Sequence, residues 1–427
     1  MGRHCYHDPG GEFQANPTRG EEGRDRRGTS RLLSLGKTNG TTVPTTQRLH
    51  FDHNAGAPVL EAALDAAVAA ARAGGNPSSV HAEGRAARGR IETACEEVAL
   101  LAGVAPARVV FTSGATEANV TALTPRLTVG RDEIVVDRLL VGATEHPSVL
   151  SGGRFPPDRV ERLPVDGDGV LRLDRLGERL ERATHDGEQV MVAVQLANSE
   201  TGVIQPVAEI ARLVRAAGGF SHCDAVQGAG RLRLDDPGLD VDTMALSAHK
   251  IGGLPGTGAL ILRNPEVLPA ALIPGSQEAN RRGGTHATPG IAAFGVAAAQ
   301  ARRHLREIAY VSELRDWLEA ELRSISSNAN VFGAAARRIA NTSMIAVPGV
   351  SAETAVIAFD LEGVAISAGS ACSSGKVGPS HVAEAMGLPA DVVRSGLRIS
   401  IGPGTTREEA ERFVAVWARV MGRLARK

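Results

Sequence analysis

The sequence is short of aromatic residues, of net charge and of long apolar runs. Phe, Trp and Tyr make up 3% of its 427 residues, so Ala, Val, Leu and Ile must fill the core. A net charge of −1 gives no electrostatic attraction to nucleic acid or to a membrane surface. No apolar run is long enough to cross a bilayer, and the N-terminus lacks the hydrophobic stretch of a signal peptide. We therefore expect a cytoplasmic protein that binds neither nucleic acid nor membranes.

Cysteine is also scarce. Cys5, Cys95, Cys223 and Cys372 are widely scattered, with no CxxC pair and no spacing typical of metal ligands. This pattern indicates isolated thiols in a reducing compartment, and we expect no resident metal site.

The composition and periodicity of the chain change after residue 47. Residues 1–47 mix Gly, Pro, Thr and both signs of charge without periodicity, which predicts a disordered tail. Beyond it, helical patterns such as those at 60–75 and 83–103 alternate with short β-branched runs. Strands that alternate with helices in this way predict an α/β fold with a mainly parallel sheet, covered on both faces.

The second half of the sequence predicts a smaller unit. We expect a large α/β domain at 63–305 and a smaller α+β domain at 306–427, to which the segment 48–62 also belongs. The runs IANTSMIAV, VAISAG and GLRISIG read as its strands. In the closing helix, Thr405 and Glu408 fit a capping box.

Lys250 is the first candidate for chemistry. It lies in ALSAHKIGGLPGTG, where an apolar run gives way to Ser, His, Lys and a glycine-rich turn. A lysine that enters a glycine-lined hollow at the end of a buried strand loses hydration, which favours its neutral, nucleophilic form. The alternative is an ordinary surface lysine that follows a strand.

Three other segments place polar groups where predicted strands end, which is where parallel α/β sheets bind ligands. RVVFTSGATEAN predicts a strand, a turn at Gly114 and a helix whose free N–H groups suit a phosphate, although an ordinary connection fits as well. His146 precedes a proline, which favours an extended conformation at the sheet edge, or else it is a solvated loop residue. Asp224 is either a buried carboxylate that needs a cationic partner or a helix cap.

Together these segments match the requirements of pyridoxal phosphate. This cofactor needs a lysine for its aldehyde, an acid for its ring nitrogen, an anion site for its phosphate and a flat group over its ring. Lys250, Asp224, the Gly114 turn and His146 are candidates for these four parts.

From Leu49 to its C-terminus the chain resembles the cysteine desulfurases, fold-type I pyridoxal-phosphate enzymes of the class-V aminotransferase group, which have a seven-stranded sheet. The resemblance is carried by these segments: FDHNAGAP, GNPSSVHAEGRAARGRIE, TSGATEAN, TEHPSV, ANSETGVIQP, HCDAVQ, SAHK, RRGGT, SAGSACSSG and LRISIG. It implies an enzyme that takes sulfur from L-cysteine.

The resemblance also implies a role for each residue of the site. Lys250 would hold the cofactor aldehyde, Asp224 would pair with the ring nitrogen, and His146 would stack on the ring. Gln227 and Ser199 would contact the ring hydroxyl. The phosphate would be held by the backbone of Ala115 and by Thr116, Ser247 and His249. Thr285 would reach the phosphate bound by the partner subunit. The last contact implies a homodimer.

The resemblance assigns the substrate to three further residues. Arg398 would bind the carboxylate of L-cysteine, with Asn198 beside it. Arg398 alternates with apolar residues along its strand and so faces away from them, and an exposed strand arginine is the alternative. Cys372 lies in a run of Ser, Gly and Ala typical of a mobile loop, and its thiolate would attack the substrate sulfur to form a persulfide for an acceptor protein. Contact of Cys372 with an iron–sulfur cluster is left open.

Two departures from the family pattern bear on activity. Ser199 stands where many relatives have a second asparagine, and Gly56 and Ala57 stand where threonine is frequent. We expect altered substrate affinity from these changes. A selenocysteine lyase or another class-V aminotransferase is the nearer alternative, and a non-catalytic persulfide carrier is an alternative of another class. The identity of the sulfur acceptor, in iron–sulfur assembly or another pathway, stays open.

Overall fold

The computed structural model describes residues 48–369 and 379–424. The helices of this part are α1 (Glu61–Ala73), α2 (Ala82–Ala102), α3 (Ala115–Ala122), α4 (Pro147–Leu150), α5 (Leu173–Asp186), α6 (Val207–Ala216), α7 (Thr288–His304), α8 (Ile308–Ile325), α9 (Ala352–Leu361), α10 (His381–Ala385), α11 (Ala390–Val393) and α12 (Arg407–Leu424). The first strands are β1 (Leu49–His50), β2 (Val109–Thr112), β3 (Arg126–Val129), β4 (Asp132–Val135), β5 (Arg138–Gly142), β6 (Val160–Leu163), β7 (Val190–Gln195) and β8 (Phe220–Asp224). The others are β9 (Thr243–Ser247), β10 (Gly258–Leu262), β11 (Val267–Pro269), β12 (Asn330–Val331), β13 (Thr342–Ala346), β14 (Val364–Ala365), β15 (Ser367–Ala368) and β16 (Gly396–Ser400).

The central sheet has seven strands in the order β2-β10-β9-β8-β7-β5-β6. Its strands run parallel except for β10, which is antiparallel to both of its neighbours. Every residue of β7 is buried, as expected of a strand covered on both faces. The predicted fold class is thus confirmed, and the carboxyl ends of the parallel strands open on one edge of the sheet.

The helices α1 and α2 end where the glycines predicted. Gly74 follows α1, and Gly103 follows α2 in a left-handed conformation with φ of 67°. A side chain at position 103 would also bring its Cβ to 2.5 Å from the Cα of Asp235. Only glycine meets both conditions without strain.

A four-stranded antiparallel sheet, β12-β13-β16-β15, forms the second layer. Its core contains a cluster of aromatic side chains: Phe413 stacks on Phe51 at 4.6 Å and on Phe359 at 5.8 Å. Phe51 thus packs the predicted segment 48–62 against the C-terminal core. Contacts join residues 46–427 into one compact unit, and the predicted boundary at 306 stays a prediction.

The capping box of α12 lies one residue later than predicted. The Thr406 hydroxyl accepts a hydrogen bond from Glu409 N at 3.2 Å, and the Glu409 carboxylate accepts one from Thr406 N at 2.9 Å. The Thr405 hydroxyl instead accepts a bond from Gly402 N at 2.9 Å. The prediction of Thr405 and Glu408 was wrong because the turn before the helix already uses the Thr405 side chain.

Over residues 48–369 and 379–424, we find no helix with the length and apolar character required to span a membrane. The predicted disordered tail, 1–47, lies outside the described residues.

Candidate active site

A cavity of about 310 Å³ opens at the carboxyl ends of the parallel strands. It brings together most of the side chains that the sequence predicted, although they come from positions 283 residues apart in the chain. The predicted residues in its wall are Ala115, Thr116, His146, Ser199, Asp224, Gln227, Ser247, His249, Lys250 and Arg398.

Lys250 lies just beyond β9, in a single 3₁₀ turn. Its Nζ donates hydrogen bonds to the carbonyl of Asn54 at 2.6 Å and to that of Ala55 at 2.9 Å. The whole sequence holds four lysines, and Lys250 is the only one among the described residues. Every other long cationic side chain of the described part is an arginine. The primary amine at position 250 therefore indicates a role that a guanidinium does not fill.

Asp224 ends β8 with both carboxylate oxygens in hydrogen bonds. Oδ2 accepts one from the Asn119 amide at 2.8 Å, and Oδ1 accepts one from Val226 N at 3.1 Å. Asn119 Oδ1 in turn accepts a bond from Nε2 of His222, whose Nδ1 contacts the Thr243 hydroxyl, both at 2.8 Å. Burial lowers the pKa of His222 to about 3, so it is neutral and fixes the direction of this chain of bonds. Sequence reasoning missed Asn119, although it lies in the quoted motif TSGATEAN.

His146 is extended, with φ of −64° and ψ of 148°, as the following proline predicted. Its Nδ1 accepts a hydrogen bond from Ser148 N at 3.1 Å, which leaves Nε2 to carry the proton of the neutral ring. Burial is the main cause that lowers the pKa of His146, while Asp224 raises it and Lys250 and His381 lower it. The charges of Asp224 and Lys250 therefore both act on His146, and its lowered pKa keeps the ring neutral near pH 7.

The predicted anion site lies at the N-terminus of α3. Glu117 in its first turn accepts a bond from Ser113 N at 2.7 Å, and Arg282 pairs with it at 2.8 Å. The Arg282 cation cancels the charge that would otherwise repel a phosphate from this helix end. On the opposite wall Ser247 Oγ contacts His249 Nδ1 at 2.9 Å, and burial lowers the pKa of His249 to about 4.

Arg398 is buried, with 1% of its side chain exposed, so the alternative of an exposed strand arginine was wrong. Its Nη2 pairs with Asp52 at 2.8 Å and its Nη1 donates to the Ser199 carbonyl at 3.2 Å. Its Nε is buried and has no hydrogen-bond partner among the described residues. Arg398 also lines the cavity, so its guanidinium can bind a further anionic group there.

We expect the variant Asp52→Ala to lose about 3–5 kcal/mol of folding free energy, because it leaves the buried Arg398 cation without its carboxylate. The double variant Asp52→Ala with Arg398→Met should recover much of that loss, since it removes the orphaned charge. Thermal unfolding of the full chain measures both effects. Asp360→Ala is the matched control: Asp360 pairs with Arg48 at the surface, with 61% and 54% of the side chains exposed, and should change little. Equal melting temperatures for the two Asp variants would contradict the prediction.

Glu200 is a second buried acid beside Arg398. Its Oε2 accepts a hydrogen bond from Ser380 Oγ at 2.5 Å. Burial raises the pKa of Glu200 from 4.5 to about 7, against the opposing effects of Ser380 and Arg398. Sequence reasoning did not single out this residue.

The raised pKa of Glu200 predicts a pH-dependent stability. Between pH 4.5 and about 7 the folded protein keeps a proton that the unfolded chain releases, so stability falls as the pH rises through this window. Glu200→Gln accepts the Ser380 bond without titrating. Relative to this variant, we expect the free energy of unfolding of wild type to fall by about 2–3 kcal/mol between pH 5 and pH 8. Melting temperatures of the two proteins across this range measure the change. Parallel profiles would show that Glu200 keeps an ordinary pKa.

Two predicted residues of the described part, Asn198 and Thr285, do not line the cavity. The Asn198 amide is buried, with Oδ1 accepting from Glu200 N and Thr201 N, both at 2.9 Å, so the protein itself uses it. Thr285 is exposed. Cys372 lies outside the described residues. Their roles toward substrate and partner stay predictions.

The two departures from the family pattern both lie at the site. The Ser199 carbonyl accepts bonds from Asn54 Nδ2 at 3.0 Å and from Arg398 Nη1, so the backbone at this position organises the wall. A Cβ at Gly56 would lie 3.9 Å from Cδ2 of His249, so position 56 has room for a side chain.

Comparison with known proteins matches most of the chain to one family. The model of the family "Aminotransferase class-V" matches residues 49–413. A cysteine desulfurase of Cereibacter sphaeroides is 35% identical over 386 residues, which cover 88% of this chain and 97% of that protein. One of Trichormus azollae is 34% identical over 354 residues, covering 82% of this chain and 86% of that protein. The solved structure of a NifS-like protein from Rickettsia africae aligns with a TM-score of 0.78 at 28% identity, over 88% of this chain and 100% of that one.

Proposed function

We propose that this chain, which belongs to the class-V aminotransferase family and to the cysteine desulfurases within it, removes the sulfur atom of L-cysteine and leaves L-alanine. One observation carries the proposal: the only lysine of the described part shares a cavity with Asp224, His146 and Arg398. Without the cavity, family membership alone would leave the chemistry of this member open.

The donor set of the cavity fits pyridoxal phosphate. Lys250 would hold the aldehyde carbon, Asp224 the ring nitrogen and Gln227 the ring hydroxyl, while the first turn of α3 with Ser247 would hold the phosphate. Asp224 suits this role because its two hydrogen bonds, from Asn119 and Val226, fix the position of its carboxylate in the cavity wall. The cofactor would supply an electron sink for the bond that breaks at the substrate Cα.

The residues of the chain would bind the substrate and move its protons. Arg398, which lines the cavity, would bind the carboxylate of L-cysteine. Lys250 Nζ would take the Cα proton, and Nε2 of neutral His146 would exchange the proton that Cβ gains as alanine forms. The carbonyls of Asn54 and Ala55, which accept from Nζ, would keep the amine pointed at the cavity wall between turnovers.

The sulfur would leave on Cys372. Its thiolate forms an S–S bond to the substrate sulfur while the Cβ–S bond of the substrate breaks. The sum is L-cysteine plus a protein thiol giving L-alanine plus a protein persulfide, which balances without an external oxidant. A sulfur-acceptor protein then takes the terminal sulfur. A homodimer is part of the proposal, and the exposed position of Thr285 supports it.

The test is made on the purified full chain. We expect a visible absorption band from lysine-linked pyridoxal phosphate, and equal amounts of L-alanine and sulfide from L-cysteine with a reductant. A protein that stays colourless after incubation with the cofactor would refute the cofactor assignment. Alanine from selenocysteine but not from cysteine would instead make the chain a selenocysteine lyase.

A further inference from the structure

A second cavity of about 310 Å³ shares Lys250 with the candidate active site but is lined by other elements. Much of its wall is apolar, with Leu60, Ile308 and Val311 among the lining side chains. Arg231 also lines it and brings the cavity a charge. Nothing in the proposed reaction uses this space.

Arg231 is a cation without an anion. It forms no ion pair with any residue in 48–369 or 379–424, and its hydrogen bonds to these residues all leave Nη1, to the carbonyl and to Oε1 of Gln227 at 3.0 Å each. Burial, and then the charge of Arg398, lowers the pKa of Arg231 to about 10, so it is still charged near pH 7. Its Nε and Nη2 donate no hydrogen bond to a described residue. Neither atom is fully buried, so both are accessible where the side chain borders the cavity.

The other titratable groups at this cavity do not neutralise Arg231. His53 has its pKa lowered to about 4, mainly by burial, and burial also lowers the pKa of His304, so both are neutral. The nearby carboxylate of Asp52 is held by Arg398 and by Ser367 Oγ at 2.7 Å. The cavity therefore offers a planar, forked cation opposite apolar walls.

We propose that this cavity binds a small aliphatic monocarboxylate, with its carboxylate on the free edge of Arg231 and its hydrocarbon chain against Leu60, Ile308 and Val311. The fork of N–H groups matches two carboxylate oxygens. A volume near the lower end of those found for ligand sites fits a short chain. An α-amino acid fits less well, because no acidic side chain of the described part lines the cavity to receive its ammonium group. The site adjoins the one for L-cysteine at Lys250 but is otherwise lined by different residues, and its existence does not depend on the proposed reaction.

Calorimetric titration of the full chain with butyrate tests the site. We expect wild type to bind, and Arg231→Gln to bind at least about tenfold more weakly. Arg233→Gln is the matched control, since Arg233 is 74% exposed and pairs with Asp235 at the surface. Arg231 also binds Gln227, so Arg231→Gln could disturb the candidate active site. A second variant, Ile308→Phe, keeps the charge of Arg231 but fills the cavity, and it should weaken butyrate binding as much as Arg231→Gln. Ile325→Phe, at the exposed end of the same helix α8, should not.

Ligand controls separate this site from others. n-Butylamine should not bind, L-2-aminobutyrate should bind more weakly than butyrate, and Arg398→Gln should leave butyrate binding in place. Absence of butyrate binding to wild type, or unchanged binding in both Arg231→Gln and Ile308→Phe, would overturn the proposal. Inorganic phosphate that competes as well as butyrate would reduce the site to one for any small anion and overturn the carboxylate assignment.

Discussion

Replacing Lys250 with alanine is expected to lower alanine formation from L-cysteine by at least about 1000-fold, the upper part of the range for a positioned general base. The same substitution should abolish the visible band of the lysine-linked cofactor. The physical reason is that no other primary amine of the described part is present to take either role, since Lys250 is its only lysine. Initial rates of alanine formation and the absorption spectrum measure the two effects separately.

Lys250→Arg is the matched control for charge. Arginine keeps the cation and can still donate to the carbonyls of Asn54 and Ala55, but it stays protonated and cannot act as a base. It should therefore fold like wild type and be as inactive as the alanine variant. Small added amines should restore part of the activity of Lys250→Ala. Retention of more than about a tenth of the wild-type rate in both variants would contradict the role of Lys250 as the base.

Lys250 and Asp224 could be predicted because each carries its signal in adjacent residues. Both end buried strands, and the sequence shows the apolar run, the polar residue and the turn together. The same local logic predicted a mainly parallel sheet, the helix ends at Gly74 and Gly103 and the extended backbone at His146.

The partners of these residues could not be predicted in this way. Arg398 pairs with Asp52 across 346 positions, and His222 reaches Asn119 across 103, so both contacts depend on strand order rather than on neighbouring residues. From its strand alone, Arg398 could therefore be either a carboxylate-binding residue or an exposed strand arginine. Arg231 and Arg233 are two residues apart and of one type, yet one borders a cavity and the other lies in solvent.

The two threonines before α12 show a finer ambiguity. Thr405 with Glu408 and Thr406 with Glu409 both fit the spacing of a capping box. The bond from Gly402 N to the Thr405 hydroxyl decides between them, and it depends on how the preceding turn closes. Local spacing therefore limits the N-cap of α12 to Thr405 or Thr406, and tertiary structure selects Thr406.

Replacing Cys372 with alanine is expected to lower sulfide release by about 100-fold or more while the cofactor spectrum stays unchanged. The described thiols do not offer a substitute. Burial raises the pKa of Cys95 to about 11, and its Sγ donates to the Pro106 carbonyl at 3.1 Å. Burial also raises the pKa of Cys223, inside β8, well above its usual range. Because the thiolate is the nucleophile, both are nearly inert at pH 8.

The location of the persulfide distinguishes Cys372 from the remaining thiols. After a single turnover with L-cysteine, alkylation and peptide mass spectrometry should find the extra sulfur on Cys372. Cys95→Ala is the matched control for a half-buried thiol, and Cys5→Ala is the control for the other cysteine outside the described residues; both should release sulfide at close to the wild-type rate. Extra sulfur on the Cys5 peptide, or equal sulfide release from Cys372→Ala, would contradict the role of Cys372 as the persulfide carrier. The unchanged spectrum of Cys372→Ala matters as much as its rate, because it separates loss of the sulfur acceptor from loss of the lysine-linked cofactor.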